Sequence, residues 1–194
     1  WNGSIWSRIF KSGYSVQYKQ NADARADNNT TVYVNIPGLT NISFTAPTTG
    51  KFQLLLNGYH SSGTPINSTF QANLQQNGST VSGYYINEQQ DGASQGSIRI
   101  QQNGTTIGEK YVTSVSKAFP GQSFYSLAQS LVIIVNVDLV AGQTYTFNVQ
   151  GREWARYNAD RGHFGRQTSG VYAGANGAAN TQYADLTITL INEY

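Results

Sequence analysis

The chain contains no cysteine and no methionine, and only 11% of its residues are charged. Without cysteine, disulfide bonds, thiol chemistry and zinc sites built on thiolates are excluded. The lack of both sulfur-containing residues leaves nothing that oxidises easily, which fits an extracellular location or the surface of a cell or virion. Because the charged fraction lies far below the usual quarter, neutral polar residues must supply most of the surface. Such a surface offers hydrogen bonds to neutral ligands such as sugars.

The chain also lacks a strong net charge and a long apolar run. Its net charge of +2 is too small to favour nucleic acid or an anionic membrane surface as a partner. No apolar run approaches the length of a membrane span, so we expect no membrane insertion. The sequence opens at Trp1 rather than at a methionine, which predicts a processed product or an excised fragment.

What the chain does have is a series of short strand signals separated by turn residues. Apolar and polar residues alternate over 32–36, 42–44, 51–59, 70–74, 81–86, 98–100, 106–115 and 183–194. Asn-Gly or Asp-Gly pairs at 77–78, 91–92 and 103–104 are typical of hairpin turns. Because no long amphipathic helix is visible, the pattern predicts an all-β sandwich or barrel. We expect an N-terminal arm and loop over residues 1–29 and a single sandwich domain over residues 30–194.

Residues 130–154 carry the clearest pattern in the chain. A first strand is followed by a turn with glycine and by a second strand in which Tyr145, Phe147 and Val149 fall on one face. The first strand is apolar on both faces through residues 131–135. A second sheet can cover only one of these faces. The other face predicts either a partner subunit or a very full core, and we expect an oligomer.

The segment from residue 152 onward is the strongest candidate for a binding site. Residues 157–182 form a longer connection than is usual between strands. We expect the first half to be functional and the second half to be a flexible segment that leads back to the next strand. Arginine binds paired hydroxyls or carboxylates bidentately, and an aromatic face can stack on a sugar ring. The same arginines could instead lie on a solvated strand edge, paired with Glu153, Asp160 and Asp185. The residues concerned are Arg152, Trp154, Arg156, Tyr157, Arg161, His163, Phe164 and Arg166.

Catalytic, metal and cofactor chemistry find little support in the sequence. Glycoside hydrolysis needs two carboxylates across the scissile bond, and no spacing of the acidic residues argues for such a pair. His60 and His163 lie in no nucleophile motif. An oxygen-rich stretch at residues 23–29 matches no calcium loop, and a hydrated loop explains it better. We therefore expect no enzyme activity, no metal and no cofactor.

The order of the strand motifs resembles the TNF/C1q-like jelly roll, whose members form trimers. It is most similar to the TNF-like fucose-binding domain at the N-terminus of bacterial superlectins. The motifs concerned are the strand ending in Ile-Pro-Gly-Leu at 36–39, the strand at 50–57, residues 131–156 and residues 183–190. The resemblance runs from about Thr31 to the end of the sequence. It implies a jelly-roll sandwich that forms a homotrimer.

In that family the sugar lies between neighbouring protomers and is held by arginine and by hydroxyl groups. The resemblance therefore implies that Arg156, Thr113 and Ser114 bind the ligand, although Ser114 stands where the family has a tyrosine. Together with the local pattern, it adds Arg152, Trp154, Tyr157 and Arg161 to the expected site. The expected function is that of a lectin for cell-surface glycans or glycoproteins, fucosylated ones included. Two alternatives stay open, which are a receptor-binding tip of a phage fibre or bacterial adhesin and a structural trimerisation module.

Overall fold

The computed structural model describes residues 13–22, 24–25, 32–62, 67–76, 79–89, 92–117, 125–127, 129–157, 162–164 and 184–194. At 25, 59–62, 67–76, 79–89, 92, 116–117, 125–127, 154–157 and 162–163 this description covers the backbone. Every regular element within these ranges is a β-strand. No helix that could cross a membrane occurs in them.

The strands are numbered in chain order. They are β1 (Ser15–Lys19), β2 (Ala24–Arg25), β3 (Val34–Asn35), β4 (Ile42–Thr45), β5 (Gly50–Ser62), β6 (Asn67–Gln76), β7 (Ser79–Gln89), β8 (Gly92–Gln102), β9 (Thr105–Lys117), β10 (Tyr125–Leu127), β11 (Gln129–Leu139), β12 (Thr144–Tyr157), β13 (Gly162–Phe164) and β14 (Asp185–Glu193).

Twelve of these strands form two six-stranded antiparallel sheets. In sheet I, β1 pairs with β14, β14 with β5, and β5 with both β11 and β13, which in turn pairs with β2. In sheet II, the order is β10, β9, β8 and β12, and β12 also pairs with β3 and β4. Strands that follow each other in the chain often lie in opposite sheets, such as β4 and β5 or β11 and β12. The chain is therefore an all-β protein, and its strand order is consistent with the predicted jelly roll.

The core lies between the two sheets and follows the predicted alternation. Phe52, Leu54 and Leu56 of β5 are fully buried, and so are Phe147 and Val149 of β12. An edge-to-face contact between Phe44 and Phe52, with ring centroids 5.7 Å apart, joins β4 to β5 across the core. The buried faces predicted for these strands are confirmed. Side chains alternate between the two faces of a strand, so apolar residues at every second position indicate which face lies in the core.

Two of the predicted hairpin turns connect paired strands, and one does not. Asn103 and Gly104 take positive φ angles of 49° and 83°, as a two-residue turn requires, and join β8 to β9. β6 and β7 pair up to Gln76 and Ser79, so that the Asn-Gly pair at 77–78 connects them. The interpretation of 91–92 as a hairpin turn is wrong for the described strands, because β7 pairs with β6 and β8 with β9 and β12.

The N-terminal region contributes a strand to sheet I. β1 pairs with β14 along its whole length. Just after β1, the buried Gln20 donates from Nε2 to the carbonyls of Ala22 and Phe164, and its Oε1 accepts from the backbone N–H of Ala184. These bonds tie β1, β13 and β14 together. The division of the chain at residue 29 stays a prediction.

The predicted extra loop, residues 157–182, contains strand residues that were not expected. β12 ends at Tyr157, which pairs with β8, so Arg152, Trp154 and Arg156 lie in the strand before that region. Within the predicted 157–182 connection, β13 adds to sheet I, and the ring of Phe164 packs against Gly151. A Cβ atom at Gly151 would lie only 2.6 Å from that ring, so this contact requires glycine.

Candidate functional site

The outer face of sheet II carries a row of polar and aromatic side chains. In the register, Gln150 lies beside Arg99 and Arg99 beside Glu109, while Arg152 lies beside Ser97 and Ser97 beside Tyr111. Asn35 of β3 pairs with Gln150, which places Tyr33 next to Arg152. Side chains directly opposite each other on one face of a sheet are close enough to interact. We call Tyr33, Ser97, Arg99, Glu109 and Arg152 the Tyr33 cluster.

Glu109 is the acceptor at the centre of the Tyr33 cluster. Its Oε1 accepts hydrogen bonds from the hydroxyls of Tyr33 and Ser97, each at 2.6 Å, and from Nη2 of Arg152 at 3.3 Å. The side chains of Arg152 and Glu109 are 21% and 22% exposed, so solvent reaches both. Within the described part of the chain, Glu109 Oε2 receives no hydrogen bond. This oxygen is therefore available to accept one from a ligand.

The charges around Glu109 determine its ionisation. Burial acts to raise the pKa of the Glu109 carboxyl, but the hydrogen bonds from Ser97 and Tyr33 and the charges of Arg152 and Arg99 together outweigh it. The pKa is lowered as a result, and the carboxylate form is favoured. Burial raises the pKa of the Tyr33 hydroxyl, and its hydrogen bond to Glu109 raises it further. Tyr33 thus stays a donor to a charged acceptor.

The ring of Tyr33 lies against two guanidinium groups. The Cζ atom of Arg99 is 3.4 Å from the ring centroid, and that of Arg152 is 4.7 Å away. Both distances are within the range of a cation–π interaction. Arg99 is itself held by Gln150, whose Oε1 accepts from Nε at 2.9 Å and from Nη2 at 2.7 Å. The aromatic ring is therefore fixed at its hydroxyl end by Glu109 and along its face by arginine.

Further groups extend this surface along β9. Tyr111 is 62% exposed, and Thr113, two positions further along the strand, is also exposed. Both lie on the same face as Glu109 because side chains alternate along a strand. The face combines an ordered aromatic ring, an exposed aromatic ring, a carboxylate acceptor and guanidinium donors. These groups can pack against the apolar side of a ring and exchange hydrogen bonds with its hydroxyls.

The predicted site residues fall into separate groups. Arg152 and Thr113 lie on the outer face of sheet II, and Arg152 pairs with Glu109. Ser114 is 1% exposed and faces the core. Arg156 lies opposite Ser94 in the register, and Ser94 lies opposite Ser114. Two predicted residues thus share one row of the sheet with a buried serine between them.

For the remaining predicted residues, the structure describes the backbone of Trp154 and Tyr157 and leaves out Arg161. Trp154 lies where a β-bulge shifts the register of β12 against β8, between Glu153 and Ala155, and Tyr157 lies opposite Ala93. Arg161 falls outside the described residues.

Before the bulge, Glu153 is 1% exposed and accepts a hydrogen bond from Ser94 at 2.7 Å. Within the described part of the chain, Glu153 Oε2 is buried without a hydrogen-bond partner.

Sequence reasoning missed most of the Tyr33 cluster. Ser97 and Arg99 alternate with the core residue Ile98, and Glu109 and Tyr111 alternate along β9. That alternation indicated a shared outer face. Nothing in the sequence indicated that Tyr33, far away in the chain, would lie beside Arg99.

No metal site accompanies these residues in the described ranges. Among their side chains, no group of three or more His, Asp or Glu lies together in a way that could hold a metal ion. The expected absence of metals and cofactors from the whole chain stays a prediction.

Comparison with known proteins finds a similar solved structure but no matching family model or curated protein. No family model and no curated protein matches the chain. Among solved structures, the chain is similar to Eiger TNF from S. frugiperda, with 10% sequence identity, 93% of each chain covered and a TM-score of 0.33. That neighbour is a TNF domain, but a likeness of this size carries no argument about ligand or assembly. The resemblance to fucose-binding superlectin domains stays a prediction from the sequence.

Proposed function

We propose that the chain is a lectin that recognises glycans or glycoproteins on a cell surface, from an extracellular location or the surface of a cell or virion. The observation that carries the proposal is the Tyr33 ring, fixed against two guanidinium groups beside an accessible carboxylate oxygen. No catalytic step and no cofactor are part of the proposal.

The chemistry of the Tyr33 cluster favours a neutral sugar with neighbouring hydroxyls. Glu109 Oε2 would accept from one hydroxyl, and Arg152 would donate to the next. The exposed ring of Tyr111 would pack against the apolar side of the sugar. A carboxylate placed against Glu109 Oε2 would be repelled, whereas a sugar hydroxyl can donate to this oxygen. Fucose, which is neutral, remains within this class.

The ligand surface is proposed to run from the Tyr33 cluster along β12 to Tyr157, with Trp154 at the bulge and Arg161 beyond the strand. Arg156 shares the row of the buried Ser94 and Ser114 and is not part of this surface. In a homotrimer, as the family resemblance implies, the end of this surface would lie near a protomer boundary. Because single sugar sites bind weakly, three sites in one assembly would raise the apparent affinity for a glycan-bearing surface.

A glycan array tests the proposal, with Tyr111→Ser as the main variant. An aromatic anchor at the centre of a binding surface is worth about 2 kcal/mol or more, so we expect binding to fall about 30-fold or more. Tyr194→Ser is a matched control, since Tyr194 is also exposed but lies at the end of sheet I. Equal loss in both variants, or an array without signal from a folded protein, would overturn the lectin proposal.

A second candidate function is supported by the outer face of sheet I. Val132 and Ile134 of β11 are 43% and 59% exposed, and Leu55 lies beside Ile134 in the register. We call these three residues the β11 surface. An exposed apolar patch of this kind favours contact with protein. It supports either a structural trimerisation module or the receptor-binding tip of a fibre or adhesin.

A further inference from the structure

The hydrogen-bonding groups that the Tyr33 cluster leaves for a ligand have a fixed polarity. An ionised carboxylate only accepts hydrogen bonds, and a guanidinium only donates them. Glu109 Oε2 is the acceptor, because the three hydrogen bonds that Glu109 receives within the described residues all go to Oε1. Arg99 has five N–H groups, three of which bond to Gln150 and Thr106 in the described part of the chain. A ligand can therefore meet Glu109 with a donor and Arg99 with an acceptor.

This acceptor and this donor lie next to an exposed aromatic ring. Arg99 of β8 is the register partner of Glu109 of β9, and neighbouring strands are about 4.8 Å apart. Tyr111, which is 62% exposed, is the next residue of β9 on the same face, about 7 Å along the strand from Glu109. A ligand group at this place meets a negative acceptor, a positive donor and an apolar ring together.

An acetamido group matches these three neighbours better than a hydroxyl does. A hydroxyl that donates to Glu109 also brings its own lone pairs near the carboxylate, and it has no apolar end. The nitrogen of a secondary amide carries a donor and no acceptor, and its carbonyl oxygen carries only acceptors. An amide unit has a dipole of about 3.5 D, which is stabilised when its N–H faces a carboxylate and its C=O faces a guanidinium. The methyl group of the acetamide supplies the apolar end.

We infer that the Tyr33 cluster binds the acetamido group of an N-acetylhexosamine, with the N–H on Glu109 Oε2, the C=O on Arg99 and the methyl against the ring of Tyr111. This inference rests on the proposed lectin function and narrows the class of sugar that the cluster takes. An N-acetylhexosamine is neutral, so it brings no carboxylate against Glu109.

Binding of small sugars to the wild-type protein tests the inference. The probes are the methyl glycosides of N-acetylglucosamine and N-acetylgalactosamine, and the comparison sugars are the methyl glycosides of glucose, galactose and glucosamine. These carry a hydroxyl or a free amine in place of the acetamide. Because the comparison sugars lose a hydrogen bond to a charged group, we expect them to bind about tenfold more weakly or worse in NMR titrations. In saturation-transfer NMR, the acetyl methyl should receive the strongest signal from the protein.

Two variants locate the preference on the protein. Glu109→Gln and Arg99→Gln each remove one of the charges that orient the amide, so the preference for acetamido sugars should disappear in both. Asp138→Asn is the matched control, since Asp138 also accepts a hydrogen bond from a tyrosine hydroxyl, that of Tyr194 at 2.6 Å, but lies in sheet I. The control should keep the preference of the wild type.

The outcomes separate this inference from the lectin function itself. If the wild type binds hydroxyl or free-amine sugars as tightly as acetamido sugars, it is a lectin and the acetamido assignment is wrong. A preference that both variants keep would likewise refute the assignment to this cluster. If the folded wild type binds neither these sugars nor any glycan on an array, the lectin function fails and the inference fails with it. The comparison among sugars uses the unchanged protein, so a variant that does not fold leaves this test intact.

Discussion

At the scale of single residues, the Tyr33 cluster depends on hydrogen bonds that converge on one oxygen. Tyr33, Ser97 and Arg152 all donate to Glu109 Oε1. Hydrogen bonds to a charged acceptor contribute more than neutral ones, about 1.5–3 kcal/mol each before screening by solvent. Glu109 is therefore the residue whose charge orders the rest of the cluster.

The stability of the protein should consequently depend on the ionisation of Glu109. Because its pKa is lowered in the folded state, the stabilisation is present above the ordinary glutamate pKa of about 4.3 and is lost as the pH falls through the folded value. We expect Glu109→Gln to lower the free energy of unfolding at pH 7 and to have a smaller effect in acid. Urea unfolding of both proteins across this pH range measures the difference.

Glu193→Gln, in the last residue of β14, serves as the control for a general effect of removing one carboxylate. If the difference between wild type and Glu109→Gln stays constant from neutral to acidic pH, the assigned role of the Glu109 charge is wrong.

At the scale of elements, the contact between β12 and β13 depends on the absence of a side chain at Gly151. The ring of Phe164 occupies the space that a Cβ atom would need. β13 pairs with β5 and β2, so this contact links that part of sheet I to the strand that bears Arg152.

Gly151→Ala should therefore destabilise the protein. Overpacking of a core costs about 1–3 kcal/mol because neighbouring side chains and backbone must shift. Gly13→Ala is a suitable control, since nothing lies within 4 Å of a Cβ atom added there, and it should change the stability by less than about 0.5 kcal/mol. Urea unfolding of the two variants gives the comparison, and equal stabilities would contradict the steric explanation.

Local pattern predicted the strands well and their partners poorly. Phe52, Phe147 and Leu186 were assigned to buried faces correctly because a two-residue period reports which side of a strand is covered. The pairing of Tyr33 with Arg152 could not be read in this way, because it depends on the register of β3 against β12. The bulge after Glu153 was also invisible. One extra residue in a strand reverses the face taken by later positions, which is why the predicted site residues do not form one group.

At the scale of the whole molecule, β11 is the strand through which we propose that copies of the sandwich meet. The sequence indicated that both faces of this strand were apolar. In the single chain, Leu131 and Ile133 are buried while Val132 and Ile134 remain exposed. At the edge of the strand, Nζ of Lys110 donates to the carbonyl of Val132, which places a positive charge where another strand could otherwise pair. The face of β11, rather than its edge, is the surface left for a partner.

Replacing Val132 and Ile134 by serine should therefore weaken the proposed trimer. Removal of two exposed apolar side chains takes away the attraction of the β11 surface without opening the core. Sedimentation velocity at micromolar concentration should show a trimer for the wild type and smaller species for the double variant. Asn136→Ser, on the same strand, should leave the assembly unchanged. A monomeric wild type would contradict the trimer, whatever the variant does.

The position of β14 has a consequence for how the chain acquires its structure. β14 lies between β5 and β1, yet both of those strands come earlier in the sequence. During synthesis, β5 must keep one side open until residues 185–193 have left the ribosome, and β1 has no place in the sheet before then. Such pairings give a high contact order, which slows folding. The nascent chain therefore spends a long time with an exposed strand edge, the state in which β-rich proteins are most prone to aggregate and most in need of a chaperone.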